Sequence, residues 1–189
     1  MTFDDLFLAE VRQRLPDIDV VARPAPIATG RRVDPRMARD EAHAVESLAV
    51  ETLVDRWRAF FPGDPEPADL RLRWVPTETT DAVGAEAATR LPGLAGAAAA
   101  RIDQIEALLD AEDWNWTRRD PAGEGQLRIV GRQRQVGFDL GIRLGDDVVL
   151  LRTRTVPVVV GELAGELVET PVEPRPWPSV DGREAADGA

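Results

Sequence analysis

His43 is the single histidine of the chain, with Asp40 three residues before it and Glu46 three residues after. On a helix those spacings place all three within a third of the circumference, which is the donor pattern of a carboxylate-rich metal site. The same strip also reads as a solvated helix face of charged side chains, and no metal or other cofactor is expected. Nucleophilic catalysis has little to work with. Ser47 and Ser179 are the only serines, and neither lies in a Gly-x-Ser-x-Gly turn. Asp110, Glu112 and Asp113 bunch where an amphipathic helix should end, so they oppose its dipole; a general acid–base pair and a solvated helix end both fit them. Cysteine, lysine and tyrosine are absent, and all 23 basic residues are arginines. That removes thiolate sites, Schiff-base chemistry and the lysine of a P-loop. The glycines of "GELAGE" and "GIRLGDD" match no phosphate-binding fingerprint. No enzyme is expected.

Two groups remain as candidate binding residues. Trp114 and Trp116 stand one residue apart just after an alanine-rich helical run, and as strand residues they share a face. Each indole can bury roughly 200 Å2, so the pair could anchor a helix against a sheet. A partner's hot spot and a stacking platform are the other readings. The second group is Arg128, Arg152 and Arg154, of which the last two share one face of a strand. Arginines on a sheet face can hold phosphates, or can form a solvated outer surface paired with acids.

Periodicity supplies the elements that must position these residues. Thr2 and Asp5 resemble a capping box opening a short helix that Pro16 stops, and "DIDVV" could be an edge strand. Asp34 followed by Pro35 reads as the N-cap and first residue of a helix running to Pro62-Gly63. Its apolar stripe is Ala38, Ala42, Val45, Ala49, Leu53 and Trp57. "LRLRWVP" alternates as a half-buried strand. "TDAVGAEAATR" reads as helical, and "LAGAAAARIDQIEALLDAED" as an amphipathic helix with the stripe Ala98, Ile102, Ile105 and Leu109. Thereafter the period changes to two. The tryptophan strand, "QLRIV", the run from Val136 to Leu144 and "VVLLRTRTVPVVV" make a four-stranded antiparallel meander. The expected fold is α+β, with two or three helices packed on a mainly antiparallel sheet that ends in this meander. Residues 1–161 read as a single domain, and 162–189 as an acidic, proline-rich, partly disordered tail.

The order "ARIDQIEALLDAEDWNWTRR…GQLRIVG…VGFDLGIRLGDDVVLLRTRTVPVV" resembles the C-terminal half of small actinobacterial lipoproteins and related uncharacterised proteins over residues 95–160. There a helix runs into a tryptophan-bearing strand and a meander that ends near a Thr-x-Pro segment. This chain has no lipobox and no cysteine, so the envelope location that the resemblance implies does not carry over. The resemblance implies no catalytic residue.

Composition bounds the rest. The 189 residues suffice for one domain with a true core, and 43% apolar with 30% charged residues is a globular profile. Abundant Ala, Arg, Gly, Pro and Val without lysine suggests a very GC-rich bacterial genome such as an actinobacterium's. No apolar run is long enough to span a bilayer, and the N-terminus has acids where a secretory signal needs bases, so a cytoplasmic location is expected. The net charge of −11 is uneven: residues 1–113 carry −9, residues 114–160 carry +3, and the rest −5. Such a chain repels nucleic acid and anionic membranes and attracts basic proteins. The expected function is a non-enzymatic cytosolic protein-binding module with a basic protein partner, such as a toxin-neutralising immunity protein or a secretion-linked chaperone. The alternative is binding of nucleic acid or an anionic ligand on the arginine-bearing sheet face.

Overall fold

Asp34 opens the first described helix as its sequence position requires. In the computed structural model, which describes residues 27, 32–120 and 125–178, its carboxylate accepts from the amides of Arg36 (2.9 Å) and Met37 (3.2 Å), two donors that the helix start leaves unpaired. The helix, α1 (Pro35–Phe60), buries the whole expected stripe and stops before Pro62-Gly63. Strand β1 (Asp69–Pro76) follows and buries Leu70 and Leu72.

The next element corrects the sequence reading. "TDAVGAEAATR" is expected to be helical, but residues Ala82–Pro92 form β2, a long strand in the interior of the sheet. Alanine's helix propensity loses here to tertiary packing. β2 buries Ala85 and Ala87 completely, and Ala49 of α1 is equally inaccessible. Small side chains on both elements let the helix come close to the sheet. Thr153 exploits that approach, its hydroxyl donating to the Ala49 carbonyl at 2.6 Å.

The alanine-rich run forms α2 (Ala95–Ala100) and α3 (Ile102–Ala111), which break at Arg101 where one helix is expected. The meander then appears as read: β3 (Asn115–Arg119), β4 (Gln126–Gln133), β5 (Val136–Arg143) and β6 (Val148–Thr155). "TVPVVV" does not continue β6 unbroken. Pro157 has no amide hydrogen for the ladder, so the chain resumes as β7 (Val158–Val159) on the end of β2. At the break the Thr155 hydroxyl accepts from the Ala85 amide at 3.0 Å and stands in for the lost ladder bond.

Within the stretch read as a tail, residues 162–178 include a short helix and a short strand. α4 (Leu163–Glu169) buries Ala164 against Ala38, Ala42 and Val83. β8 (Pro174–Pro176) pairs with β1, and Trp177 packs edge-on to Trp57 with ring centroids 6.1 Å apart. The expected helix at the N-terminus, the "DIDVV" strand and the last eleven residues, 179–189, lie outside the described residues.

The sheet runs β3-β4-β5-β6-β2-β1-β8 with every neighbouring pair antiparallel, and β7 lies beside β2. The fold is therefore α+β, with the helices packed on an antiparallel sheet. One large cluster joins Leu53, Trp57 and Phe60 of α1 and Ile105 and Leu109 of α3 to Leu72, Ala87, Phe138 and Leu151 of the sheet. All four described helices use this same face. Among the described residues, no helix is long and apolar enough to cross a membrane.

Candidate binding faces of the sheet

Strand alternation sends the two groups of candidate residues to opposite sides. Trp116, Gly131, Phe138, Thr153, Ala87 and Leu72 follow one another across the strands on the helix-covered face. Arg128, Arg152 and Arg154 stand one residue out of phase and so lie on the face that no described helix covers, called the open face below. The structure does not bring tryptophans and arginines into one site.

Trp114, just before β3, is buried, and its ring meets Phe138 edge-on at 5.1 Å between centroids. The guanidinium of Arg56 lies over Trp114 at 5.3 Å and over Phe60 at 5.7 Å, a cation–π arrangement on both rings. Here the acids at the end of α3 acquire partners. Glu112 pairs with Arg56 and accepts from the Trp114 indole at 3.2 Å. Asp110 accepts from the indole of the half-buried Trp116 at 2.8 Å. Two of the three carboxylates therefore position the tryptophans. A concavity of about 540 Å3 opens beside Trp114 between α1 and the β4–β5 hairpin, lined by Leu48, Thr52, Asp55 and Gln133. Of its two arginines, Arg56 is held by Glu112 and Arg134 is exposed at the rim.

His43 is exposed on α1, and Glu46 is turned to Arg175 of β8. Among the described residues, no three His, Cys, Asp or Glu gather in a way that could hold a metal ion.

The open face carries the charge. Its first cross-strand row is Arg132, Gly137, Arg154, Glu86 and Arg73. The second is Val130, Asp139, Arg152, Ala88 and Arg71. The third is Arg119, Arg128, Gly141, Leu150 and Arg90. Eight arginines thus face two carboxylates in these rows. Arg128 grips Asp139 with two hydrogen bonds, 2.8 and 2.5 Å long. Those bonds, and then the opposite charge, raise the guanidinium above the usual arginine value. At the edge of the sheet, hydrogen bonds to Asp120 and Glu106 raise Arg118 likewise. Glu86 is almost inaccessible, with Arg73 at 2.6 Å and Arg152 at 3.8 Å. Arg132 and Arg154 are exposed and have no ion-pair partner among the described residues. Two hollows, of about 430 and 270 Å3, lie on this face along β5.

Arg73, Glu86, Arg132 and Asp139 belong to this face, and sequence reasoning did not single them out. The signal available for the last two was the alternation of β4 and β5. Fold and faces define an α+β domain whose sheet is covered by helices on one side and bears open arginine rows on the other. No protein-family model, curated protein or solved structure matches the chain.

Proposed function

We propose that this chain is a non-enzymatic cytosolic binding module that takes an acidic protein on its open sheet face, in the manner of an immunity protein or a secretion-linked chaperone. The observation that carries the proposal is the one-sided stacking of the helices, which leaves the arginine rows uncovered by them. Net charge alone favours a basic partner; the segregation of charge between the two sides of the sheet favours an acidic one, because complementarity acts over the contact patch. Nucleic acid is disfavoured because the cross-strand rows present no aromatic ring for stacking, since Trp116 and Phe138 turn to the other face.

The test is capture from the native cytosol by the full chain, with each partner identified and mapped by face. An acidic protein should bind the wild type, be lost with Arg132→Glu plus Arg154→Glu, and survive Glu51→Arg on the exposed side of α1. Its association should slow as salt rises. A basic protein lost only with Glu51→Arg would refute the proposal, as would nucleic acid removed by the arginine variants. Stoichiometric metal that disappears with His43→Ala would overturn the non-enzymatic reading.

A further inference from the structure

The concavity of about 540 Å3 beside Trp114 has the size and make-up of a small-ligand site, an apolar floor with a few polar groups. Leu48, Thr52 and Asp55 stand on one stripe of α1 and form one wall. The β4–β5 connection supplies the other: Gln133 pairs with Val136, which leaves Arg134 and Gln135 as a two-residue hairpin turn. Trp114 and Val136 are buried at the base. The Trp114 ring is held in place by Phe138, by Arg56 and by its indole bond to Glu112. Gln133 donates to the Glu112 carbonyl at 2.9 Å, so its side chain is fixed as well. Arg56 is already paired with Glu112. Asp55 on the helix wall and Arg134 on the hairpin wall are exposed and have no ion-pair partner among the described residues. The charges left for a ligand are therefore one of each sign, on opposite walls.

Arg134 sits at φ 48°, in the left-handed region. Asp113 and Asp147 are the other non-glycine residues with positive φ among the described ones, and aspartate tolerates that region. Arginine does not, and the first position of a two-residue hairpin turn favours Asn, Asp or Gly. A guanidinium kept at a strained position on the mouth of a cleft is the arrangement expected of a binding residue. We infer that this cleft binds a small zwitterion of the α-amino-acid kind with an apolar side chain. Its carboxylate meets Arg134, its ammonium group meets Asp55, and its side chain lies on Leu48, Trp114 and Val136. A monoanion would face Asp55 and a monocation would face Arg134, whereas a zwitterion satisfies both. The Thr52 hydroxyl, also without a partner among the described residues, adds a donor on the helix wall. The site uses neither Arg132 nor Arg154, so it is independent of the acidic-partner reading.

Isothermal titration calorimetry of the full chain tests this with leucine, its methyl ester, N-acetyl-leucine, glycine and glycyl-leucine. Leucine should bind at least about tenfold tighter than the ester, which lacks the carboxylate, than N-acetyl-leucine, which lacks the ammonium group, and than glycine, which lacks the apolar side chain. Arg134→Asn should weaken leucine about tenfold and leave the ester unchanged. Asp55→Asn should weaken leucine equally and leave N-acetyl-leucine unchanged. Each charge then acts on the group assigned to it. Glycyl-leucine separates the two sources of this chemistry: tighter binding than leucine assigns the cleft to short peptides, weaker binding to free amino acids. Arg134→Asn should also melt at or above wild type, because Asn suits the turn; an arginine kept for the fold would give a lower melting temperature. Failure of both leucine and glycyl-leucine to bind would overturn the inference. So would an ester or acetyl derivative that binds as tightly as leucine, or variants that weaken every ligand alike.

Discussion

Gly131→Ala is the most demanding single-methyl change the sheet offers. A Cβ at Gly131 would sit 2.2 Å from Cε1 and 2.6 Å from Cζ of Phe138, its cross-strand partner. Ordinary carbon contacts begin near 3.5 Å, so the ring would have to retreat by more than about 1 Å. It has nowhere to go. Phe138 is buried, with Phe60 at 5.3 Å and Trp114 at 5.1 Å between centroids. Overpacking of this kind costs about 1–3 kcal/mol, and each edge-to-face pair disturbed adds up to about 1 kcal/mol. The expected loss is about 3 kcal/mol.

Urea denaturation followed by tryptophan fluorescence measures it. With a slope of about 2–3 kcal/mol per molar, the midpoint should fall by about 1 M at unchanged slope. Gly141→Ala is the control on the opposite face. Its Cβ would meet nothing nearer than Leu150 Cβ at 3.8 Å, and its backbone is not in the left-handed region. It should be neutral or stabilise by up to about 1 kcal/mol, through the reduced freedom of the unfolded chain. Restoring space with Phe138→Leu should recover part of the Gly131→Ala loss in a double-mutant cycle. A Gly131→Ala protein within about 0.5 kcal/mol of wild type, or a Gly141→Ala protein equally damaged, would refute both the packing of Phe138 on Gly131 and the assignment of the two faces.

Trp114→Ala removes a buried ring together with its contacts to Phe138 and Arg56, and should cost about 3–5 kcal/mol by calorimetry, whereas the half-buried Trp116→Ala should cost about 1–2 kcal/mol. Thr153→Val keeps shape but deletes the bond to the Ala49 carbonyl, for an expected loss of about 1 kcal/mol that Thr153→Ser largely avoids. Trp177→Ala should release β8 from β1 and speed amide exchange at Leu70, with little effect at Arg71, whose amide faces β2, or at β5. Binding on the open face should be flat between about pH 6 and pH 9, because its cations are arginines and none is lysine or histidine.

The sequence shows the helix stripes and the meander because both are strong periodic patterns with sharp stops, such as Asp34-Pro35 and Gly145-Asp146-Asp147. The error over Ala82–Pro92 has a physical source. Alanine is weighted for helix by its free propensity, but a strand lying under a closely packed helix also wants alanine, and composition does not separate the two demands. The alternation was nevertheless present: Val83, Ala85, Ala87, Thr89 and Leu91 face the helices, while Gly84, Glu86, Ala88 and Arg90 face away. That one misreading also hid the site. With residues 82–92 taken as helix, β6 lies at the edge of the meander and Arg152 and Arg154 border open solvent. With β2 paired against β6, the same arginines become interior members of rows that continue through Glu86 to Arg73. Parity within a strand could be read directly, so the shared face of Arg152 and Arg154 was legible. That Trp116 and Arg128 lie on opposite faces depends instead on the β3–β4 register, which aligns Trp116 with Gly131, and the turn sequence "DPAGEG" does not fix that register. The sheet face thus emerges only from strand order, and strand order hinges on where the chain put its alanines.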